Sequence, residues 1–475
     1  ANSVGNIEVA VKSRLLFNPY PEGFDMKKAV FLWSTAIRDL ALANLPQNSV
    51  VPYTEEEFER TFDNKPAFKK KRYEAARQAL ELGEPFDMKK KVMLKKDEVL
   101  ALKKTDSPDE GLEDNVFIKP RTILVTDPKI QAYTGPFILG AMDVIKEHLS
   151  HTPITARTKS GQWLSFRCAI ASGYDSTKLT QLIQDLDKGV DPWIVVAGDD
   201  VIGRLPSGLY FASDFSKYDL SQHEGPMLHF RLAWMQHVGI PKDVVELLIK
   251  SCGGSFNVKT KTQSGKGQMP VQQGTGNADT TLTNSINNLF AQVYSIASED
   301  YSEAMKELGL VIKYHEAERL DELDFLKGWF VSSTFGTTME WAPLPSQVLK
   351  IGKILRNPSE LGGYEQTALA LALSYGYVPD DYPILGPMLV TMKRVAREQG
   401  AKVDSRVVDK VRQRFMMPWA VNRVDRQGAL AMIEQRYGLT VDDVEEMEDL
   451  IESVPYLPAF VSHPGFLALR RVDYE

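Results

Sequence analysis

Two cysteines, Cys168 and Cys252, and seven histidines are all that the 475 residues offer of the usual ligands for soft metals. One cysteine pair builds neither a disulfide framework nor a cysteine zinc site, which fits a reducing compartment. His223, His229 and His237 lack the compact spacing of a zinc site and read as ordinary helix or surface residues. Long apolar runs are missing as well. No stretch approaches a membrane span, and the first residues lack the basic-then-apolar pattern of a secretion signal, so a soluble, intracellular chain is expected. Internal repeats, low-complexity tracts and long Pro/Gly/Ser linkers are also lacking. An excess of positive charge is missing too. A net charge of −7 argues against a protein that coats nucleic acid over its whole surface, although a local channel can be positive on an acidic protein.

The charges that are present fall unevenly. Between Lys65 and Lys104 stand thirteen Lys or Arg against six acids, whereas Asp442, Asp443, Glu445, Glu446, Glu448, Asp449 and Glu452 crowd one predicted helix near the end. Both runs read first as solvated helix faces. Hydrophobic residues make up 43% of the chain, the ordinary globular range, and give no sign of a largely disordered one.

Apolar spacing predicts helix over Phe31 to Leu45 and basic helices from Glu55 to Leu82, then a short strand at Val116 to Ile118. Trp193 to Ala197 is a continuous apolar run, closed by Gly198-Asp199-Asp200 and resumed at Val201-Ile202, which predicts a strand, a tight turn and a second strand. Gly208 to Ser213 reads as another strand, ending at Asp214. Helical spacing follows from Met227 to Val238, with Gly239 as the stop, and again through Ile286, Leu289, Phe290, Val293 and Ile296. Ser302 to Leu308 predicts a short helix and Leu310 to Ile312 a strand. Beyond Pro345 the pattern is mainly helical, with Thr440 and Asp443 marking one helix start. The fold class is α+β, with a central antiparallel sheet flanked by helices.

Two predicted strands end in carboxylates: Asp199 and Asp200 in the turn, and Asp214. Hard divalent cations take oxygen ligands of this type, and three acids can hold two ions for an in-line phosphoryl displacement. Each signal alone is weak, since a Gly-Asp-Asp tripeptide arises by chance in roughly one chain of this length in ten. Context sharpens it. Asp219 follows Asp214 by five residues. Gly276, Thr280 and Asn284 then open the second long helix, with Thr280 and Asn284 on one face. Asp219 and Asn284 together could read a ribose 2′-hydroxyl.

These segments resemble motifs C, A and B of viral RNA-dependent RNA polymerases. Phe325 to Phe330, with Lys327, resembles motif E; Gly309 to Glu318 falls at motif D; Lys96-Asp97-Glu98 and Lys119-Pro120-Arg121 resemble motif F. The order C-A-B is similar to that of permutotetravirus polymerases, with birnavirus polymerases as the nearest relatives. The turn reads Gly-Asp-Asp here, where birnaviruses typically carry Ala-Asp-Asn, which favours the permutotetravirus side. Thr275, or Gln273, stands where the family commonly has a serine before the motif B glycine.

The resemblance implies a right-hand polymerase with an antiparallel palm sheet. Residues 1–190 would be N-terminal extension and fingers, 191–235 palm motifs C and A, 236–275 a fingers insertion, 276–345 palm motifs B, D and E, and 346–475 thumb. It implies template-directed transfer from ribonucleoside triphosphates to an RNA 3′-hydroxyl, with Mg2+ or Mn2+ held by Asp199, Asp200 and Asp214. Asp219, Asn284, Thr280 and Gly276 would position ribose and template, Lys96, Lys119 and Arg121 the triphosphate, and Lys327 the primer strand. Lys313 and His315 compete as general acid. RNA template and product, and other viral replication proteins, would be partners in the host cytoplasm or in the virion. Two other expectations stay open: a metal-dependent phosphohydrolase or nuclease using the same acids, and a non-catalytic RNA-binding protein on a polymerase scaffold.

Overall fold

The computed structural model describes residues 20–50, 54–62, 67–94, 101–102, 116–117, 122–216, 218–259, 264–274, 277–332, 339–351, 362–402 and 424–474. Helices and mixed sheets make it an α+β chain. It divides into two compact units, one of Ala1–Lys95, Pro120–Ser172 and Gly189–Glu318, the other of Lys96–Lys119, Gly173–Lys188 and Arg319–Glu475. Among the described residues no helix is long and apolar enough to cross a membrane.

A six-stranded sheet centres the first unit. Its order is Ile312–Ala317, Tyr210–Phe215, Asp200–Arg204, Trp193–Ala197, Trp163–Ile170 and Ile154–Arg157. Four of the five pairings are antiparallel, as expected, but Trp163–Ile170 and Trp193–Ala197 run parallel. A parallel pair needs a crossover of a dozen residues or more, and residues 171–192 supply it. Pleating sorts the side chains. Val196, Val201, Phe211 and Phe215 share one face, where they join Ile286, Leu289, Phe290 and Val293 of helix Thr280–Ala297 in the main core. Each of these fully buried side chains contributes roughly 1.5–3 kcal/mol relative to exposure. The face bearing Asp200, Ala212 and Asp214 points the other way.

Several expected boundaries move for physical reasons. The helix expected over Phe31 to Leu45 is two, Met26–Ser34 and Ala36–Asn44, with the break at Thr35, whose hydroxyl bonds back to Phe31 O at 2.7 Å. The apolar Leu310 that suggested a strand is instead buried in the core, and the strand runs through the polar Ile312–Ala317. Pairing with Tyr210–Phe215 decides this, because an edge strand needs apolar residues on one face only. Gly225–Phe230 is a π-helix leading into helix Arg231–His237, and Gly239 stops it in the left-handed region.

A smaller sheet in the same unit orders Ser264–Met269, Gly254–Lys259, Lys90–Leu94 and Thr122–Val125 around Val92, Leu124, Phe256 and Met269. The second unit carries a three-stranded antiparallel sheet of Asp324–Phe325, Gly328–Ser332 and Met339–Pro343. Trp329 Nε1 donates to Tyr382 Oη at 2.8 Å, and Tyr382 donates on to Pro343 O at 2.7 Å. Among its helices, Val441–Glu452 starts with the expected capping box of Thr440 and Asp443.

Candidate active site

The hairpin that carries the first two acids is set by one glycine. Ala197 pairs with Asp200, leaving Gly198 and Asp199 as a two-residue connection. Gly198 has φ +69°, where glycine is least strained, and a glycine at the first central position is the pattern of type II′ hairpins. Asp199 is exposed at the tip and Asp200 half-buried.

Register then brings the third acid to the same end. Val201 stands opposite Ser213 and Arg204 opposite Tyr210, so one further step along that ladder sets position 200 across from position 214. Asp214 is paired on its other side with Lys313. The three backbones therefore lie in a row about 5 Å apart, with their side chains on one face. His315 pairs with Ala212, about 7 Å further along the strand, so Lys313 is the nearer of the two candidate proton donors. Both are exposed. Among the described residues no three His, Cys, Asp or Glu side chains form a ready-made metal-binding group. The acids are brought together as backbone neighbours, not as a preformed cage, while their chemistry suits a hard cation that keeps several waters.

Helix Thr280–Ala297 serves this end of the sheet. Asn284, 6% exposed, donates from Nδ2 to Asp219 Oδ1 at 3.0 Å, joining two residues 65 apart in the chain. Its Oδ1 is buried and makes no hydrogen bond among the described residues. Tyr218 donates to Asn284 O at 3.3 Å. Burial pushes its phenol well up, and the charges of Asp199 and Asp219 push the same way, so Tyr218 stays protonated between them. Thr280 works within the loop: its hydroxyl donates to Gly274 O at 2.6 Å and accepts from Gln273 Nε2 at 3.1 Å. Gln273 N in turn donates to Asp219 O at 3.2 Å.

Sequence reasoning missed the polar side of that helix. The expected apolar stripe is there, but Thr283, Asn284, Ser285, Asn287, Asn288, Gln292 and Ser295 are buried too. Asn288 Nδ2 donates to Gly198 O and Asp199 O, both at 3.1 Å, and Ser285 Oγ accepts from Gly198 N at 2.9 Å. The spacing of Ser285, Asn288 and Gln292, three and four apart, was the available signal for one shared polar face. At the helix start Asp279 and Arg231, both 0% exposed, form an ion pair, and Thr283 Oγ1 donates to Asp279 Oδ2 at 2.7 Å.

Gly276, Lys96, Lys119 and Arg121 lie outside the described residues. Lys327, in the second unit, is exposed at a two-residue hairpin tip with Leu326, both in the left-handed region. Cys168 and Cys252 are buried free thiols. His223 is buried, with Nε2 on Leu308 O at 3.1 Å and Nδ1 accepting from Gly225 N at 3.1 Å, a structural role. Compared with known proteins, the chain matches no family model and, in sequence, no curated protein.

Proposed function

We propose that the chain is an RNA-dependent RNA polymerase of the permuted, permutotetravirus-like kind, with the six-stranded sheet as its palm. The observation that carries the reading is the meeting of Asp200, Asp214 and Lys313 in one cross-strand row, at the end of the sheet where helix Thr280–Ala297 also holds the Asp219–Asn284 pair. A chance Gly-Asp-Asp turn has no reason to share an end with that pair.

In this reading Asp199, Asp200 and Asp214 would hold Mg2+, or Mn2+ in its place. Such ions supply activation of the attacking hydroxyl and neutralisation of the leaving oxygen. The chain's own residues position and neutralise, as phosphoryl transfer generally requires. Asp219, held by Asn284 Nδ2, would accept from a ribose hydroxyl, and Asn284 Oδ1, which makes no hydrogen bond among the described residues, offers a second acceptor that deoxyribose cannot use. Lys313 would keep a proton beside Asp214 for the departing pyrophosphate. Lys96, Lys119 and Arg121 would neutralise the triphosphate, Gly276 and Thr280 would shape the template loop, and Lys327 would support the primer. RNA template, nascent RNA and ribonucleoside triphosphates are the partners.

The test is primer extension with labelled nucleotides by Asp199→Asn and Asp200→Asn. Both variants should keep the wild-type melting transition while incorporation falls by more than about a hundredfold. Unaffected elongation overturns the assignment, and hydrolysis without primer lengthening in the wild type identifies a nuclease instead.

A further inference from the structure

We propose that Asn288 is the positioning residue of the Gly198-Asp199-Asp200 turn, fixing its main chain through a relay of side-chain amides that ends at Tyr301. The relay's consequence for nucleotide transfer rests on the polymerase reading; the clamp itself does not.

Each link sets the orientation of the next. Asn288 Nδ2 gives its hydrogens to the carbonyls of Gly198 and Asp199. An Asn amide flipped by half a turn would aim its oxygen at those two carbonyls, so something must forbid the flip. Gln292 does so, donating from Nε2 to Asn288 Oδ1 at 2.9 Å. Gln292 is fixed in turn by Tyr301, whose hydroxyl donates to Gln292 Oε1 at 2.6 Å. Burial raises the Tyr301 phenol far above its ordinary value, so it remains a donor at any working pH. The tyrosine ring is seated against Tyr314, 4.4 Å between centroids, on the strand that bears Lys313. Asn288 and Gln292 are 0% exposed, so water does not compete for their bonds. From the same helix Ser285 Oγ accepts from Gly198 N and donates to Thr281 O at 2.7 Å. Donors and acceptors of the turn's backbone are thus both held from one rigid element. A site that places two acids on a hairpin tip needs such support, because loosely held ligands lose affinity and geometry together.

Asn288→Leu keeps the side-chain shape and removes both donors. Amide hydrogen exchange at Gly198 should accelerate at least about tenfold, because the turn then loses the donor to its two carbonyls. Mn2+ affinity, read by water-proton relaxation, should weaken about tenfold, and primer extension should need correspondingly more Mn2+. A folded Asn288→Leu protein with unchanged exchange at Gly198 and unchanged Mn2+ affinity overturns the clamp. Where that variant fails to fold, Tyr301→Phe decides, since it removes only the terminal hydroxyl: faster exchange at Gly198 supports the relay and unchanged exchange overturns it. A wild-type chain that neither binds Mn2+ nor extends a primer defeats the polymerase reading, and the exchange measurement alone then judges the clamp.

Discussion

Removing the carboxylate of Asp279 should destabilise the first unit more than any surface change. Asp279 and Arg231 are both fully buried, paired with each other, and Arg231 Nη1 also lies 2.7 Å from Cys252 Sγ, a weak acceptor. With Asp279→Ala the guanidinium keeps its burial and loses its only carboxylate partner among the described residues. Breaking a buried pair from one side costs about 3–5 kcal/mol, on the order of a hundredfold or more in the unfolding equilibrium. Thr283 loses its acceptor in the same step, which loosens the first turn of the helix that carries Asn284 and Asn288. The assay is urea unfolding followed by a probe in the first unit, such as the fluorescence of buried Trp33, Trp193 and Trp234. Replacing both partners with apolar residues of similar volume, Arg231→Met with Asp279→Leu, should cost less than Asp279→Ala alone, since no buried charge is then left uncompensated. A single variant within about 0.5 kcal/mol of wild type, the range of ordinary surface changes, would refute the reasoning.

Two further outcomes follow from the geometry. Burial holds His223 down to about 4 while its unfolded counterpart titrates near 6.5, so the folded state is favoured fully above pH 6.5 and loses up to about 3 kcal/mol as the pH falls toward 4. Imidazole NMR titration together with urea unfolding at stepped pH checks this, and a His223 resonance titrating near 6.5 contradicts it. Lys313→Ala should slow incorporation by about tenfold to a hundredfold and His315→Ala by much less, because only Lys313 pairs directly with Asp214. Rapid-quench primer extension on both variants tests the order, and an equal or larger effect at His315 reverses it.

How much of this could be read in the chain depends on how local each determinant is. The Trp193–Ala197 strand, its turn and the strand ending near Asp214 were legible because a continuous apolar run, a glycine and short spacing are written in consecutive residues. The capping box at Thr440 was legible for the same reason. Asp219 and Asn284 were expected to act together from their residue types beside the acids, although 65 residues separate the partners. What escaped is what tertiary packing decides. Leu310 was read as the start of a strand and is core, while the strand runs on past Ile312 to Ala317 because a neighbour offers its edge. Asn288 and Gln292 look like the wet side of an amphipathic helix. The turn's carbonyls beneath Asn288, and Asn288 Oδ1 with the Tyr301 hydroxyl around Gln292, make their burial tolerable.

The meander from Trp193 through Phe215 has a consequence for how the acids come together. All three stand within residues 199–214, joined by turns of a few residues, so their assembly closes only short loops. The entropy of that closure is small and the hairpins can form on the microsecond scale, ahead of any distant contact. The ribose-reading pair is the opposite case, needing the whole span from 219 to 284 to fold back. Insertions between those two positions can therefore lengthen the intervening arm while leaving the carboxylate row intact, so the acid cluster is the more tolerant half of the site and the Asp219–Asn284 contact the more demanding one.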